Sequence, residues 1–469
     1  MLNIQMKSAR QKECDTSNSL FATEIPVWYG SSGKVRPEWL SACKEERHRT
    51  QALMERIIHP LNLTEACKQV VRNKGTGGVD GMKVEELTGW LQTNIQQLQN
   101  QLLNEGYKPQ LVRGVQIPKP KGGGFRQLGI PTVVDRMVQQ AISQELQKIY
   151  DPCFSEYSYG FRPRRNAHQA LKQAAKYVSE GKRQIVDIDL EKFFDEVNHH
   201  RLMWLLSTRI SDKRVLRLIN RFLQTGILQG GLVSQRTKGT PQGSPLSPLL
   251  SNIVLDELDQ ELSRRGLSYV RYADDMQIFT QSKRSAERVM ESITAFIEGR
   301  MKLKVNHSKS AIRTPTAVNF LGHNLQTKGR IGLSTSSEQK LKEKLKKITQ
   351  RNRGVSLESI IHQLKPVLQG WLNYFQLASM KTKMERIDAW LRRRLKSFRL
   401  KQCKRCIGIV RFLRKLGVEE TLCWRTALSG KSWWRLSNSP AISIGMNNMW
   451  FSKMGYYSLA ENYMRLHRN

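Results

Sequence analysis

Between about Glu46 and Asn73 apolar positions recur with a helical period, at Leu53, Ile57, Ile58, Leu61 and Leu63. The stretch "GTGGVDG", Gly75–Gly81, then breaks the pattern with a tight backbone turn. A second helix is predicted through "VEELTGWLQTNIQQLQNQLLNEG", stopping at Gly106. "VRGVQIPKPKGGGFRQLGIP" reads as strand, loop, strand, because glycine and proline interrupt two apolar runs. Helices follow up to Pro152 and through "AHQALKQAAKYVSEG", and then a strand, "RQIVDIDL". The pattern from Arg201 to Leu228 is helical, and "VSQRTKGTPQGSP" is a loop that opens the next helix. "LSYVRYADDMQIFT" reads as a strand pair, "SAERVMESITAFIEGRM" as a helix and "VNFLGHNLQ" as a strand. Strands and helices mix without a regular βαβ repeat, which predicts an α+β fold.

Beyond Gly329–Thr335 the chain reads as helical. Three amphipathic segments, "EQKLKEKLKKITQ", "LESIIHQLKPVLQGWLNYFQLAS" and "KMERIDAWLRRRLKSFRLK", are joined by short links, as in an antiparallel bundle. A basic helix, "IGIVRFLRKLG", and a tail rich in tryptophan follow, with boundaries expected near 330 and 405.

Charge changes the picture most. The chain has 469 residues, with 77 Lys+Arg against 40 Asp+Glu, a net charge of +37. Such an excess repels itself and calls for a polyanion, nucleic acid before an anionic membrane surface. No apolar run is long enough to span a bilayer, and the first residues lack a secretory signal's apolar core, so a cytoplasmic protein is expected. Seven scattered cysteines do not read as a disulfide framework. Only "CKRC", Cys403–Cys406, has metal-like spacing, and a second pair is missing for a zinc site. The adjacent His199 and His200 read as ordinary.

In this basic chain "YADD" puts Asp274 and Asp275 side by side, at the predicted turn of a hairpin. Aspartate is common in turns. Paired carboxylates also hold two divalent ions, whose charge offsets the repulsion. A partner strand is present: alternation along "QIVDIDLEKFFDEV" puts Asp187 and Asp189 on one face, and either could reach the pair.

"YADD" resembles the Tyr-x-Asp-Asp motif of reverse transcriptases, and "DLEKFFD" the first catalytic motif of the group II intron proteins among them. "GTPQGSPLSPLLSNIVLDELD", "SYGFRPRRNAHQAL", "IPKPKGGGFRQLGIPTVVDRMVQQAI", "MKLKVNHSKS" and "NFLGH" resemble further blocks of that family. "GWLNYF", Gly370–Phe375, resembles the maturase (thumb) signature. The likeness is collinear over roughly Glu46–Lys404.

The resemblance implies a right-hand polymerase. It has an N-terminal extension over 1–75, helical from about 46, and fingers and palm with an antiparallel sheet over 76–330. A helical thumb over 331–404 and a basic DNA-binding region over 405–469 complete it. It implies Asp189, Asp274 and Asp275 as catalytic carboxylates holding two Mg2+ ions, with Asp187 structural or a supporting group behind them, and dNTPs as substrates. Lys119 and Arg126, flanking the "PKGGGF" loop, and Lys309 are implied at the triphosphate. Gln242 and Gly243 are implied beside the nucleotide, and Phe194 under the deoxyribose, with Phe193 competing for that place.

Nucleic-acid contacts are expected from Arg162, Arg164 and Arg165, and from the thumb run Arg392, Arg393, Arg394 and Lys396. The implied partners are an intron RNA, an RNA template–primer duplex and a DNA target site, the last bringing the protein to the bacterial nucleoid. No paired CxxC set of a His-Asn-His endonuclease is visible, so a protein without that domain is expected. The competing readings are an RNA-binding splicing factor with a dead polymerase, and a bacterial reverse transcriptase with another task.

Overall fold

The computed structural model describes residues 50–118 and 124–467. Lys119, the region before residue 50 and the Arg126 side chain lie outside the described residues. Helix α1 (Leu53–Ile58) gives way to α2 (Pro60–Asn73) at His59, where Pro60 cannot donate a helical bond but suits a first turn. Helix α3 (Leu87–Leu103) leads to β1 (Val112–Pro118) and β2 (Phe125–Ile130), which pair antiparallel with Arg113 opposite Ile130. Thr132 caps α4 (Val133–Tyr150) by accepting from the Asp135 N–H. Helix α5 (Ala167–Ser179), β3 (Gln184–Ile188), the short α6 (Phe193–Glu196), α7 (His199–Arg209) and α8 (Lys213–Gln224) follow.

A hairpin, β4 (Ile227–Gln229) and β5 (Leu232–Ser234), stands where helix and loop were expected. Gly230 and Gly231 both have positive φ, +57° and +83°, so they form the two-residue turn whose twist suits a hairpin. Then come α9 (Ser247–Arg264), β6 (Ser268–Tyr272), β7 (Asp275–Thr280), α10 (Lys283–Gly299) and β8 (Ala311–Arg313). Strands order as β2-β1-β4-β5 in one sheet and β6-β7-β3-β8 in another. The expected strand "VNFLGHNLQ" narrows to β9 (His323–Leu325), which pairs antiparallel with β10 (Ile331–Leu333).

The chain divides into two compact units. The first holds residues up to Ala170, Val186–Ile278 and Arg284–Ile312. Its apolar core runs from Leu53 to Val305, and α9 lies deep in it with nearly every side chain from Ser247 to Asp259 buried. The second unit holds Leu171–Ile185, Phe279–Lys283 and the chain from Arg313 onward. Three long helices form its body: α11 (Thr335–Ile348), α12 (Leu357–Phe375) and α13 (Lys381–Gln402).

Helix α14 (Cys406–Lys415) and five shorter helices pack against them: α15 (Glu420–Ala427), α16 (Trp433–Leu436), α17 (Pro440–Gly445), α18 (Asn448–Lys453) and α19 (Leu459–Leu466). One apolar cluster reaches from Leu333 to Tyr463 across all of these helices. Among the described residues no helix is long and apolar enough to cross a membrane.

The buried Asp388 on α13 ties this unit together. Its carboxylate accepts from the Tyr456 hydroxyl (2.8 Å), the Ser458 hydroxyl (2.9 Å) and the N–H groups of Leu459 (3.1 Å) and Ala460 (2.8 Å). An anion at the start of α19 also faces the positive end of that helix dipole. Asp388→Ala strands these donors. The expected loss is about 3–5 kcal/mol in denaturant unfolding, with faster protease cleavage near Tyr456.

Candidate active site

Asp189 and Asp187 leave β3 on the same side, half-buried, while Val186, Ile188 and Leu190 point into the core. The segment after β3 is pinned from a neighbouring loop. The Asp189 N–H donates to the Ser310 hydroxyl (2.9 Å), and the Asn306 N–H donates to the Asp189 carbonyl (2.8 Å). Asp274 and Asp275 come from the β6–β7 hairpin, with Ala273 and Asp274 forming the turn.

Asp275 senses the other three carboxylates. Asp275 is pushed up to about 6, first by desolvation, then by the charges of Asp274, Asp187 and Asp189, with Lys309 pulling the other way. Asp275 is solvent-exposed, so water tempers the desolvation and the like-charge neighbours carry the argument. Lys309 sits between the signs: its Nζ lies 3.4 Å from Asp189 Oδ2.

An all-oxygen, all-anionic donor set is what a hard divalent cation takes. The residue types therefore fit Mg2+. Among the described residues, however, no three such side chains are gathered closely enough to hold an ion.

The same unit holds a cleft of about 500 Å³ lined by Lys74, Arg136, Phe161, Phe194, Gln242 and Gly243. Burial separates the two adjacent phenylalanines. Phe193 is 3% exposed and belongs to the core, whereas Phe194 reaches the cleft. The Gln242–Gly243 loop lies along β2: the Gly129 N–H donates to the Gln242 carbonyl (2.9 Å). Gly243, at φ +120°, has no room for a Cβ, which would stand 2.5 Å from the Gly129 carbonyl oxygen. Its missing side chain is thus required by the protein's own backbone.

His199 is buried and its Nε2 meets the Gly239 carbonyl at 2.7 Å, which anchors the segment entering this loop. Lys74 and Arg136 were not singled out in the sequence. The basic, glycine-rich "KGTGG" was the available signal for the first.

Several expected nucleic-acid contacts have partners inside the fold. Arg162 donates to Asp151 (2.7 Å) and to the carbonyls of Asp151, Ser155 and Ser158. Arg165 lies over the Tyr159 ring, 5.6 Å from its centroid, while Arg164 is exposed. On α13, Arg394 donates to the Lys346 and Thr349 carbonyls and so caps the end of α11. Arg393 stacks 4.2 Å over Trp434. Arg392 and Lys396 are half-buried, and the Lys396 amine is lowered by desolvation and by Arg392. The Cys403 and Cys406 thiols face the carbonyls of Arg399 and Ala427.

In the second unit a groove of about 610 Å³ is lined by Lys340, Lys344, Gly370, Trp371 and Tyr374, which places "GWLNYF" on a basic aromatic surface.

Residues 117–325 match the family described as reverse transcriptase (RNA-dependent DNA polymerase), and residues 338–416 match the group II intron, maturase-specific domain. Protein YkfC of Escherichia coli (strain K12) is 32% identical over 358 residues, covering 68% of this chain and 93% of that protein. The group II intron-encoded protein LtrA of Lactococcus lactis subsp. cremoris is 29% identical over 337 residues, 58% of this chain and 56% of LtrA. The chain belongs to the group II intron reverse transcriptase–maturase family.

A putative COX1/OXI3 intron 2 protein of Saccharomyces cerevisiae is also similar, 26% identical over 351 residues, 61% of this chain and 41% of the yeast protein. The chain therefore spans only about half the length of the Lactococcus and yeast relatives. In this reverse transcriptase–maturase the two matched domains follow the order in which the motifs occur.

A pH signature follows from Asp275. Its folded-state value is raised from 3.8 to about 6. The group thus favours the fold fully below the unfolded value, and that contribution is lost as pH rises through the folded one. A divalent ion bound there competes with the proton. Mg2+ is expected to raise the thermal midpoint at about pH 7.5 and much less at about pH 5, with proton release on binding near pH 6. Asp275→Asn should abolish the difference. Equal Mg2+ shifts at both pH values would contradict it.

Proposed function

We propose that this protein copies intron RNA into cDNA and also binds the same RNA to assist its splicing and its reverse-splicing into DNA. The observation that carries the reading is the pairing of a polymerase domain and a maturase-specific domain in one collinear chain. It is supported by carboxylates from two strands in one electrostatic neighbourhood. In this reading Asp189, Asp274 and Asp275 would hold two Mg2+ ions. Bound, the ions supply activation of the primer 3′ hydroxyl and neutralise charge on the triphosphate.

The chain's own residues supply the rest. Phe194 lies under the deoxyribose, where a 2′ hydroxyl would clash with the ring. The Gln242–Gly243 loop, braced on β2, lines up the incoming nucleotide with the template. Lys119 and Arg126, which the resemblance implies at the triphosphate, would supply positive charge that stabilises the departing pyrophosphate. Lys309, whose Nζ lies 3.4 Å from Asp189 Oδ2, would also be in position to meet phosphate oxygens of the nucleotide. The exposed Arg164, with Arg392 and Lys396 on α13, meets RNA phosphates. The intron RNA supplies the splicing chemistry, so the protein serves there by holding its fold. The basic helices after 405 face the DNA target.

Purified protein is expected to add dNTPs to a primed RNA template in Mg2+. Asp274→Asn should lower incorporation by about a hundredfold to a thousandfold, on the scale of removing a group that stabilises transition-state charge. The same variant should bind intron RNA and support splicing unchanged. Wild-type protein that adds no dNTP sinks the polymerase reading. A folded variant that loses splicing as well denies separate roles. Binding that an unrelated structured RNA competes away denies the intron partner.

A further inference from the structure

The β6–β7 turn carries a conformational cost. Ala273 occupies its first central position at φ +58°. A residue with a Cβ gives up roughly 1–2 kcal/mol in that left-handed region, so the surroundings must hold it there.

Three residues converge on the turn from behind. The first is Arg271, which is wholly buried. Its Nε donates to both carboxylate oxygens of Asp259 on α9, at 2.8 and 3.0 Å. Its Nη1 donates to the carbonyl of Ala273 itself (3.0 Å) and to Asn252 Oδ1 (3.0 Å). The second is Asn252, also on α9 and also wholly buried, whose Nδ2 donates to the Gly160 carbonyl (2.9 Å). The third is Gly160. The segment leading to it runs along β6, with the Arg271 N–H donating to the Tyr157 carbonyl and the Tyr159 N–H to the Arg271 carbonyl, both 2.9 Å. It ends against the turn so closely that a Cβ on Gly160 would stand 2.2 Å from the Ala273 nitrogen and 2.9 Å from the Tyr272 carbonyl carbon.

The "SYGFRP" block, expected to touch nucleic acid, therefore has a second use. Its glycine is the floor under the acidic turn, and α9 supplies the walls. Removing the Asn252 side chain leaves the Gly160 carbonyl and one Arg271 N–H without these partners, at about 1–3 kcal/mol each when buried. That is the same scale as the strain at Ala273, so the turn would populate other conformations.

We propose that Arg271, Asn252 and Gly160 are positioning residues of the polymerase site: they clamp the Ala273–Asp274 turn and thereby aim the Asp274 and Asp275 carboxylates. Their contacts are with one another, with Asp259 and with the backbone of the turn. The inference rests on reading Asp274 as a catalytic carboxylate.

The test uses the full chain with Asn252→Ala, Asn252→Asp and Gly160→Ala. Active sites are counted by a single-turnover burst, so unfolded protein does not enter the rate. A misaim on the order of 1 Å should lower kcat per active site by about a hundredfold. It should also raise the Mg2+ needed for half-maximal rate several-fold, while dNTP KM and primer–template binding stay constant. Asn252→Asp keeps the shape and the acceptor to Arg271 but loses the donor to Gly160, so its effect should be intermediate.

Leu206→Ala, deep in the core of the same unit, separates positioning from simple destabilisation. It should reduce the active fraction and leave the Mg2+ requirement of the remainder unchanged. Folded Asn252→Ala and Gly160→Ala proteins with wild-type kcat per site and wild-type Mg2+ requirement overturn the clamp. An active Asp274→Asn protein overturns the underlying reading instead.

Discussion

Like charge gathers at the tip of the β6–β7 hairpin: Asp275 lies in the field of Asp274, Asp187 and Asp189, and the fold must hold these carboxylates against their repulsion. Asp187 and Asp189 are fixed by strand alternation, which costs nothing extra once β3 is buried on its other face. Asp274 and Asp275 are fixed by a strained turn, so they need bracing from outside the strands. The buried Arg271–Asp259 pair provides it, and the pair is affordable in a core only because its remaining hydrogen-bond sites are used. Burial and the charge of Asp259 push the neighbouring Asp256 up to about 7.

The large positive charge divides into two kinds. Some cations are spent on the fold. Arg162 braces the loop beside the acidic turn, Arg394 satisfies the end of α11, and Arg393 and Arg399 lie over Trp434 and Phe412. A planar guanidinium does such work better than an ammonium, since it stacks and forks at once. Others line the groove of Lys340 and Lys344. A count of basic residues therefore overstates the charge available to a polyanion, because it cannot tell a cap from a contact.

Much of this was legible in the chain. The hairpin turn at Ala273–Asp274, the facing of Asp187 and Asp189 and the three long helices of the second unit all follow from period and breakers. The β4–β5 hairpin was missed because each strand is only three residues long, too short for alternation to register. "GG" between two apolar pairs was its one available sign. The choice between Phe193 and Phe194 could not be made from neighbours in sequence, since both begin the same short helix, and burial separates them. The clamp was out of reach for a different reason. Asn252, Asp259 and Arg271 fall in three places that look like ordinary polar interruptions, and only packing brings them to one point.

Asp388 has a consequence in time. Its hydrogen-bond donors lie about 70 residues further along the chain. On a ribosome adding about 5–20 residues each second, α13 is complete several seconds before the segment from Tyr456 to Ala460 exists. Throughout that interval the carboxylate must stay in water, so the side of α13 that carries it cannot close into a dry interior. The second unit is then a structure whose keystone arrives last, and a nascent chain would keep its basic helices loosely packed until then.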